Sequence, residues 1–283
     1  MPTFSTPTPI DLAIELPVGR IDVVAGDRSD TTVEVRPSNP AKDVDRRGAD
    51  ETQVEFDATD NRLTIKGPKP RFSLFGPTES VDVRVELPAH SRLTAELSMG
   101  GVRTTGTLGA TRIKASMGAV DLDNTGDLWL RAGHGNVTVK NVAGDAQVTA
   151  DHGRIRIASI EGGSALKASH GSVVVGETHG DLQANLSYGD LEITNAEGSV
   201  TAKTAYGSVD LLEVSTGDIQ VESAYGDIRV GVRAGVPAWL DLSSKNGLIR
   251  NELDGDRAPA ADEQTVAVRA RTQASSITIH RAK

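Results

Sequence analysis

The chain has 283 residues, with 30 basic against 39 acidic side chains and a formal net charge of −9. It has no cysteine, which excludes disulfides, thiolate nucleophiles and thiolate metal sites, and its acidic balance weighs against nucleic acid as a partner. Aromatic residues make up only 3% while glycine is frequent at 29 residues, a composition of repeats rather than of a core built from large side chains.

The first twenty residues, MPTFSTPTPIDLAIELPVGR, carry neither a basic leader nor an apolar h-region. No stretch approaches the roughly 18 apolar residues of a membrane helix. A cytoplasmic protein without membrane insertion is the expectation. Residues 10 to 90 are rich in strand-like runs without a visible period: IDLAIELP, RIDVVAG, TTVEVRP, TQVEFDA, NRLTIKG and SVDVRVELP. Two loops interrupt them, PSNPAKDVDRRGAD and KGPKPRFSLFGPTES. The second places Phe72, Leu74 and Phe75 between proline and glycine, either as a flap over the end of the core or as a partner patch.

Past residue 90 a strict period begins. Glycines recur at Gly100, Gly118, Gly135, Gly153, Gly171, Gly189, Gly207, Gly226 and Gly247, mostly eighteen residues apart, with a second glycine about midway in each interval. Two residues past the first glycine stand Val102, Val120, Val137, Ile155, Val173, Leu191, Val209 and Ile228, and apolar residues recur two positions further on. Alternating β-branched and aliphatic residues punctuated by glycine are the pattern of strands and turns. From Ala234 the period decays through VPAWLDLSSKNGLIRNELDG, in which Trp239 is placed as an anchor of the end, to the closing strands QTVAVRARTQASSITIH.

Columns of like residues every eighteen positions mean that equivalent positions stack about 4.8 Å apart. The expected fold is therefore all-β: a β-solenoid, or β-helix, with about 18 residues per coil and aperiodic β caps at both ends. Its expected parts are an N-terminal β-rich cap (1–90), solenoid repeats (91–233) and a C-terminal β cap (234–283), forming one continuous structural unit. A sandwich of hairpins would share the nine-residue spacing but would not require the columns. Spacing alone leaves the number of faces per coil open. Atypical ends suit a solenoid, which must hide its terminal strand edges.

With its opening LPVGRIDVVAGDRSDTTVEVRP, then VDVRVELPAHSRLTAELSMGGV, the glycine-punctuated coils and a terminal SSITIHRA, the chain resembles a bacterial β-strand-repeat family of unknown function labelled as candidate adhesins. The likeness runs from about residue 10 to 282. It implies the fold and, through the label, surface display, from which the expectation of no export signal in the first twenty residues departs. It implies no catalytic motif.

The most pointed chemical feature is the column just before each first glycine: Met99, Met117, His134, His152, His170, Tyr188, Tyr206, Tyr225 and Asn246. Like side chains stacked in register stabilise a β-stack, which is the plain reading. A metal site would have two adjacent imidazoles and no thiolate, a weak donor set, and no metal or cofactor is expected. Three stacked imidazoles could also form a pH-sensitive strip, since like charges a rung apart oppose one another. Tyr188, Tyr206 and Tyr225 could offer a platform to sugars or peptides. The outward carboxylates Asp121, Asp190, Glu192, Asp210 and Asp227 are scattered rather than paired for glycoside chemistry, and there is no nucleophile elbow. The residues therefore read as a non-catalytic interaction or scaffold protein that binds a protein partner or associates with itself through its caps. Two alternatives stand beside it. One is an acidic rod that binds a basic partner or mimics nucleic acid, against which Arg103, Arg154, Arg156 and Arg229 interrupt the acidic columns. The other is a carbohydrate-binding or carbohydrate-acting β-helix.

Overall fold

The structure, a computed structural model, describes residues 1–68, 79–253 and 263–282. It falls into two compact units, Met1–Ala143 and Gly144–Lys283.

Unit 1 begins with strands β1 (Thr3–Ser5), β2 (Asp11–Gly26) and β3 (Asp30–Pro37), followed by helix α1 (Asp43–Glu51) and strands β4 (Gln53–Asp57), β5 (Arg62–Lys66) and β6 (Val81–Pro88). The periodic part follows as β7 (Arg92–Thr105), β8 (Thr111–Met117), β9 (Val120–Thr125), β10 (Leu128–His134) and β11 (Val137–Val142). One coil is two strands. β8 runs parallel to β10, with Ile113 beside Leu130, while β9 runs parallel to β11, with Leu122 beside Val139. Two parallel sheets result, each burying every second side chain, which settles the number of faces at two.

Residues 10 to 90, aperiodic in sequence, contain two such coils. β2 lies parallel to β7 over its whole length, Leu12 beside Leu93, Gly19 beside Gly100 and Ile21 beside Val102. On its other side β2 pairs with β5 and β6, which together form the outermost coil. The chain thus lays β2 first, adds the outer coil, and then returns to the inner side. Antiparallel strands close that outer coil: β3 on β6, β4 on β5, and β1 on β3. Leu63, Ile65, Val81 and Val85 are consequently at 0% exposure although they belong to the last coil.

The stretch PSNPAKDVDRRGAD, expected as a loop, contains α1. Asp43 and Asp45 sit in its first turn, where the positive end of the helix dipole favours carboxylates. The buried Asp45 accepts backbone N–H groups from Asn39 and Ser80, both at 3.1 Å, which docks the helix beside β6. This anchor lies 35 residues away in sequence, so local pattern gave no sign of it.

Unit 2 stacks β12 (Ala146–His152), β13 (Ile155–Ile160), β14 (Ser164–His170), β15 (Val173–Thr178), β16 (Leu182–Tyr188), β17 (Leu191–Ala196), β18 (Val200–Tyr206), β19 (Val209–Val214), β20 (Gly217–Tyr225) and β21 (Ile228–Val232) in the same way. Even-numbered strands pair in one sheet and odd-numbered strands in the other, every pair parallel, and in constant register except where β19 and β21 shift between Leu211 and Val214. Leu191, Ile193, Ala196, Val200 and Ala202 are each at 0% exposure, so a single coil supplies five fully buried apolar side chains. Each larger aliphatic among them contributes roughly 1.5–3 kcal/mol of hydrophobic free energy.

The end of this unit departs from sequence order. β22 (Ala238–Ser244) and β23 (Ile249–Asn251) come next in the chain, but β24 (Val266–Thr272) and β25 (Ile277–Arg281) take the place beside β20 and β21. β22 and β23 pair outside them as the terminal coil. Asn246 and Gly247 are therefore not the rung after Tyr225 and Gly226. The flanking pairs Ser223 with Thr272 and Ile228 with Ile277 place Ala274 next to Tyr225. Trp239, expected as an anchor of the C-terminal cap, is 65% exposed because it points to the outer side of β22.

What lets the coils close is the first glycine column. Gly189 has φ +140°, and a β-carbon there would lie 2.2 Å from the carbonyl oxygen of Gly171; at Gly171 the φ is +144° and the distance 2.0 Å from that of Gly153. Only glycine adopts such a φ freely while leaving room for the carbonyl beneath. Gly189→Ala is expected to cost at least about 2 kcal/mol of unfolding free energy by chemical denaturation. The exposed neighbouring change Ser187→Ala should stay within about 0.5 kcal/mol. Equal small effects for both would contradict this account of the column.

Candidate functional site

Met99 lies within β7, but from β8 to β20 the recurring position before the first glycine is the last residue of each even-numbered strand, where the sheet bends. Its side chain has no opposite sheet to enter and turns to solvent. In unit 2 this gives a continuous stack of five rings. Ring centroids are 4.8 Å apart for His152 and His170, 5.1 Å for His170 and Tyr188, 5.0 Å for Tyr188 and Tyr206, and 5.1 Å for Tyr206 and Tyr225. Interplanar angles are 8° or less, so parallel strands at one register hold the rings face to face. Tyr188, Tyr206 and Tyr225 are each about half exposed. His134 occupies the same position in unit 1, in register with Met117, which is itself beside Met99, and Met99 is beside Val18. Met99 and Met117 are 42% and 49% exposed.

This geometry defines what the stack offers. The ring faces are turned on one another, so the surface presents ring edges and phenol hydroxyls rather than flat aromatic platforms. Small residues flank it, Ser169, Ser187 and Ala205 on one side and Ser172 and Ser208 on the other. Among the described residues no group of three His, Asp or Glu side chains could hold a metal ion. Phe72, Leu74 and Phe75 lie outside the described residues.

Four of the five outward carboxylates singled out from the sequence, Asp121, Asp190, Asp210 and Asp227, bond to neighbouring coils. Asp190 accepts the Ser208 backbone N–H at 2.8 Å and Asp227 accepts that of Ser276 at 3.0 Å. Asp181 and Asp145 serve the second bend likewise, accepting from Ser199 at 3.0 Å and Gly163 at 2.9 Å. Asp210 pairs with Arg229 at 3.2 Å, and Asp121 with Arg103 at 4.0 Å. Of the arginines that interrupt the acidic columns, Arg103 and Arg229 thus meet carboxylates on neighbouring coils, while Arg154 Nε donates to the Ser172 hydroxyl at 3.0 Å.

A second column, not singled out from the sequence, brings an imidazole between two carboxylates. Glu161, His179 and Glu197 each precede a second glycine and lie on successive coils. His179 Nδ1 is 2.8 Å from Glu197 and its Nε2 is 3.7 Å from Glu161. Arg233 continues the row, 3.9 Å from Glu197, with Nε donating to Glu213. The hydrogen bond with Glu197 raises the imidazole above its ordinary 6.5 against a small desolvation, helped by the charge of Glu161, and the same bond holds the Glu197 carboxyl below its ordinary 4.5. The eighteen-residue spacing of 161, 179 and 197 is the signal that would have revealed this row.

Two consequences can be measured. Tyr206 touches a ring on each side, so coupling between Tyr188→Ala and Tyr206→Ala in a double-mutant cycle is expected at about 0.5–1.5 kcal/mol. Zero coupling would mean that the stacked rings only cover the bend. For His179, the folded-state proton is held more tightly than the unfolded one, so its contribution is complete below the unfolded pKa and fades as pH rises through the raised folded value. The contribution of Glu197 is lost instead as pH falls through its lowered value. His179→Gln should therefore lower the thermal midpoint most near about pH 6 and least above about pH 8. A deficit that grows toward alkaline pH would contradict the assignment.

Among the described residues no helix is long and apolar enough to cross a membrane. Comparison with curated proteins gives no match. Among solved structures, a candidate cell adhesion protein of Clostridium sporogenes ATCC 15579 aligns with 99% of this chain and 98% of its own at 10% identity, with a TM-score of 0.21, a likeness too loose to carry an argument. The Toastrack DUF4097 family model matches residues 12–236, the strand repeats from β2 through β21. The chain belongs to the Toastrack DUF4097 family.

Proposed function

We propose that this solenoid works without catalysis, as a scaffold that associates with itself through an end coil. The observation that carries the reading is the difference between the two terminal coils. In unit 1 the outermost coil is closed by antiparallel strands and its apolar residues are buried. In unit 2 the terminal strands β22 and β23 have β24 and β25 on one side and, among the described residues, no strand on the other. Trp239 is 65%, Leu248 61% and Ile249 45% exposed, while Val268 and Ile277 in the coil beneath are at 0%.

An open parallel edge beside exposed apolar side chains is a template for pairing with another chain, and folded proteins normally blunt or cover such edges. The carboxylates favour the same reading, since those with assigned roles bond neighbouring coils and are not gathered as an acid–base pair. Light scattering and electron microscopy of the purified protein over the widest attainable concentration range test it. Discrete oligomers or filaments are expected. A persistent monomer would reject self-association and return weight to a separate protein partner.

A further inference from the structure

The hydrogen bonds of β22 fix which of its peptide groups turn away from β24 and have no partner strand among the described residues. Lys245 N–H donates to the Thr272 carbonyl, and the Pro237 carbonyl accepts from Val266 N–H. Peptide groups alternate sides along a strand, so odd-numbered residues from 237 to 245 turn theirs toward β24. Ala238, Leu240, Leu242 and Ser244 therefore present N–H and C=O groups to the open edge. The half-buried Leu240 and Leu242 also point to the inner side of the coil, continuing the column of Val268 and Ala270.

We infer that this edge pairs antiparallel with the same edge of a second copy, across a two-fold axis at Leu242. The inference rests on the self-association proposed above and names its surface and register. A two-fold axis requires that a strand be complementary to itself read backwards. Centring the pair on Asp241 would set two carboxylates directly opposite, which is unfavourable. Centring it on Leu242 removes that clash and keeps Leu240 to Ser244 paired. Leu242 then faces Leu242 and Leu240 faces Ser244, bringing two apolar columns into contact.

On the outer side the same register sets Lys245 of each copy opposite Trp239 of the other and diagonal to its Asp241. Both contacts are favourable across strands. Unit 1 already uses the first of them: Arg112 and Trp129 are register partners on β8 and β10, and the guanidinium lies 3.7 Å from the ring centroid. Trp239 at 65% exposure is thus a ring face with a cation of the second copy to cover it.

The lack of any cysteine makes the test direct. In a hydrogen-bonded antiparallel pair the Cα atoms are about 5.5 Å apart, inside the disulfide range. Leu242→Cys should therefore give a covalent dimer under mild oxidation, while Ser243→Cys, which faces Asp241, should not. Leu242→Pro removes an N–H turned away from β24, where an edge strand tolerates proline, and Leu242→Ala controls for the lost side chain; both should keep their circular dichroism, while the dimer dissociation constant of Leu242→Pro rises at least about tenfold above that of Leu242→Ala. A wild-type monomer in light scattering would overturn both this pairing and self-association itself. A wild-type oligomer that Leu242→Pro leaves intact, or that links through Ser243→Cys and not Leu242→Cys, would overturn the pairing alone.

Discussion

The contact between each bend glycine and the carbonyl oxygen of the glycine one coil below governs the rest of this structure. A β-carbon at Gly171, Gly189 or Gly207 would lie between 2.0 and 2.2 Å from that oxygen. With no β-carbon there, the bends approach as closely as the strands do, and both sheets keep one register from coil to coil. Uniform register is what turns a sequence period into physical columns. It aligns Val173, Leu191 and Val209 into core and His170, Tyr188 and Tyr206 into a ring stack. A bend held further apart would separate the rings as surely as the strands.

The charges are organised by the same register. Carboxylates at the bends accept backbone N–H groups from the next coil, and acidic and basic side chains on adjacent strands meet, as Lys203 does Glu222 at 3.1 Å and Lys140 does Asp123 at 2.6 Å. The ammonium of Lys140 holds the Asp123 carboxyl below its ordinary value, against partial burial. Exposed pairs of this kind contribute little singly. Where they occur they tie carboxylates such as Asp123, Asp210 and Glu222 to the neighbouring coil.

The interior of the fold was legible in the sequence because its contacts repeat at a constant separation. Asp181 meets Ser199 and Asp190 meets Ser208 at eighteen residues, and the glycines mark every bend. The ring stack was legible for the same reason. What the sequence concealed lies at variable separation: Asp11 meets Arg92 at 81 residues and Asp227 meets Ser276 at 49. No window shows that β2 belongs beside β7, or that Ala274 rather than Asn246 follows Tyr225. Helix α1 was hidden because its anchoring partner is Ser80. The row through His179 had the right spacing but mixed residue types, so it did not stand out as a column of like residues.

The out-of-order coils bear on how the molecule forms. A solenoid laid down in chain order could zip from any interior coil, each new strand finding its neighbour already in place. Here the terminal strands break that rule. β22 and β23 emerge before the strands they pair with, so they have no ladder until residues 266–281 fold back between them and β20 and β21. The last segment of the chain thus acts as a latch that completes two coils at once. Synthesis must reach residue 281 before that part of the sheet can form. The final strands are central in space although last in sequence, and losing them would strand the coil outside as well.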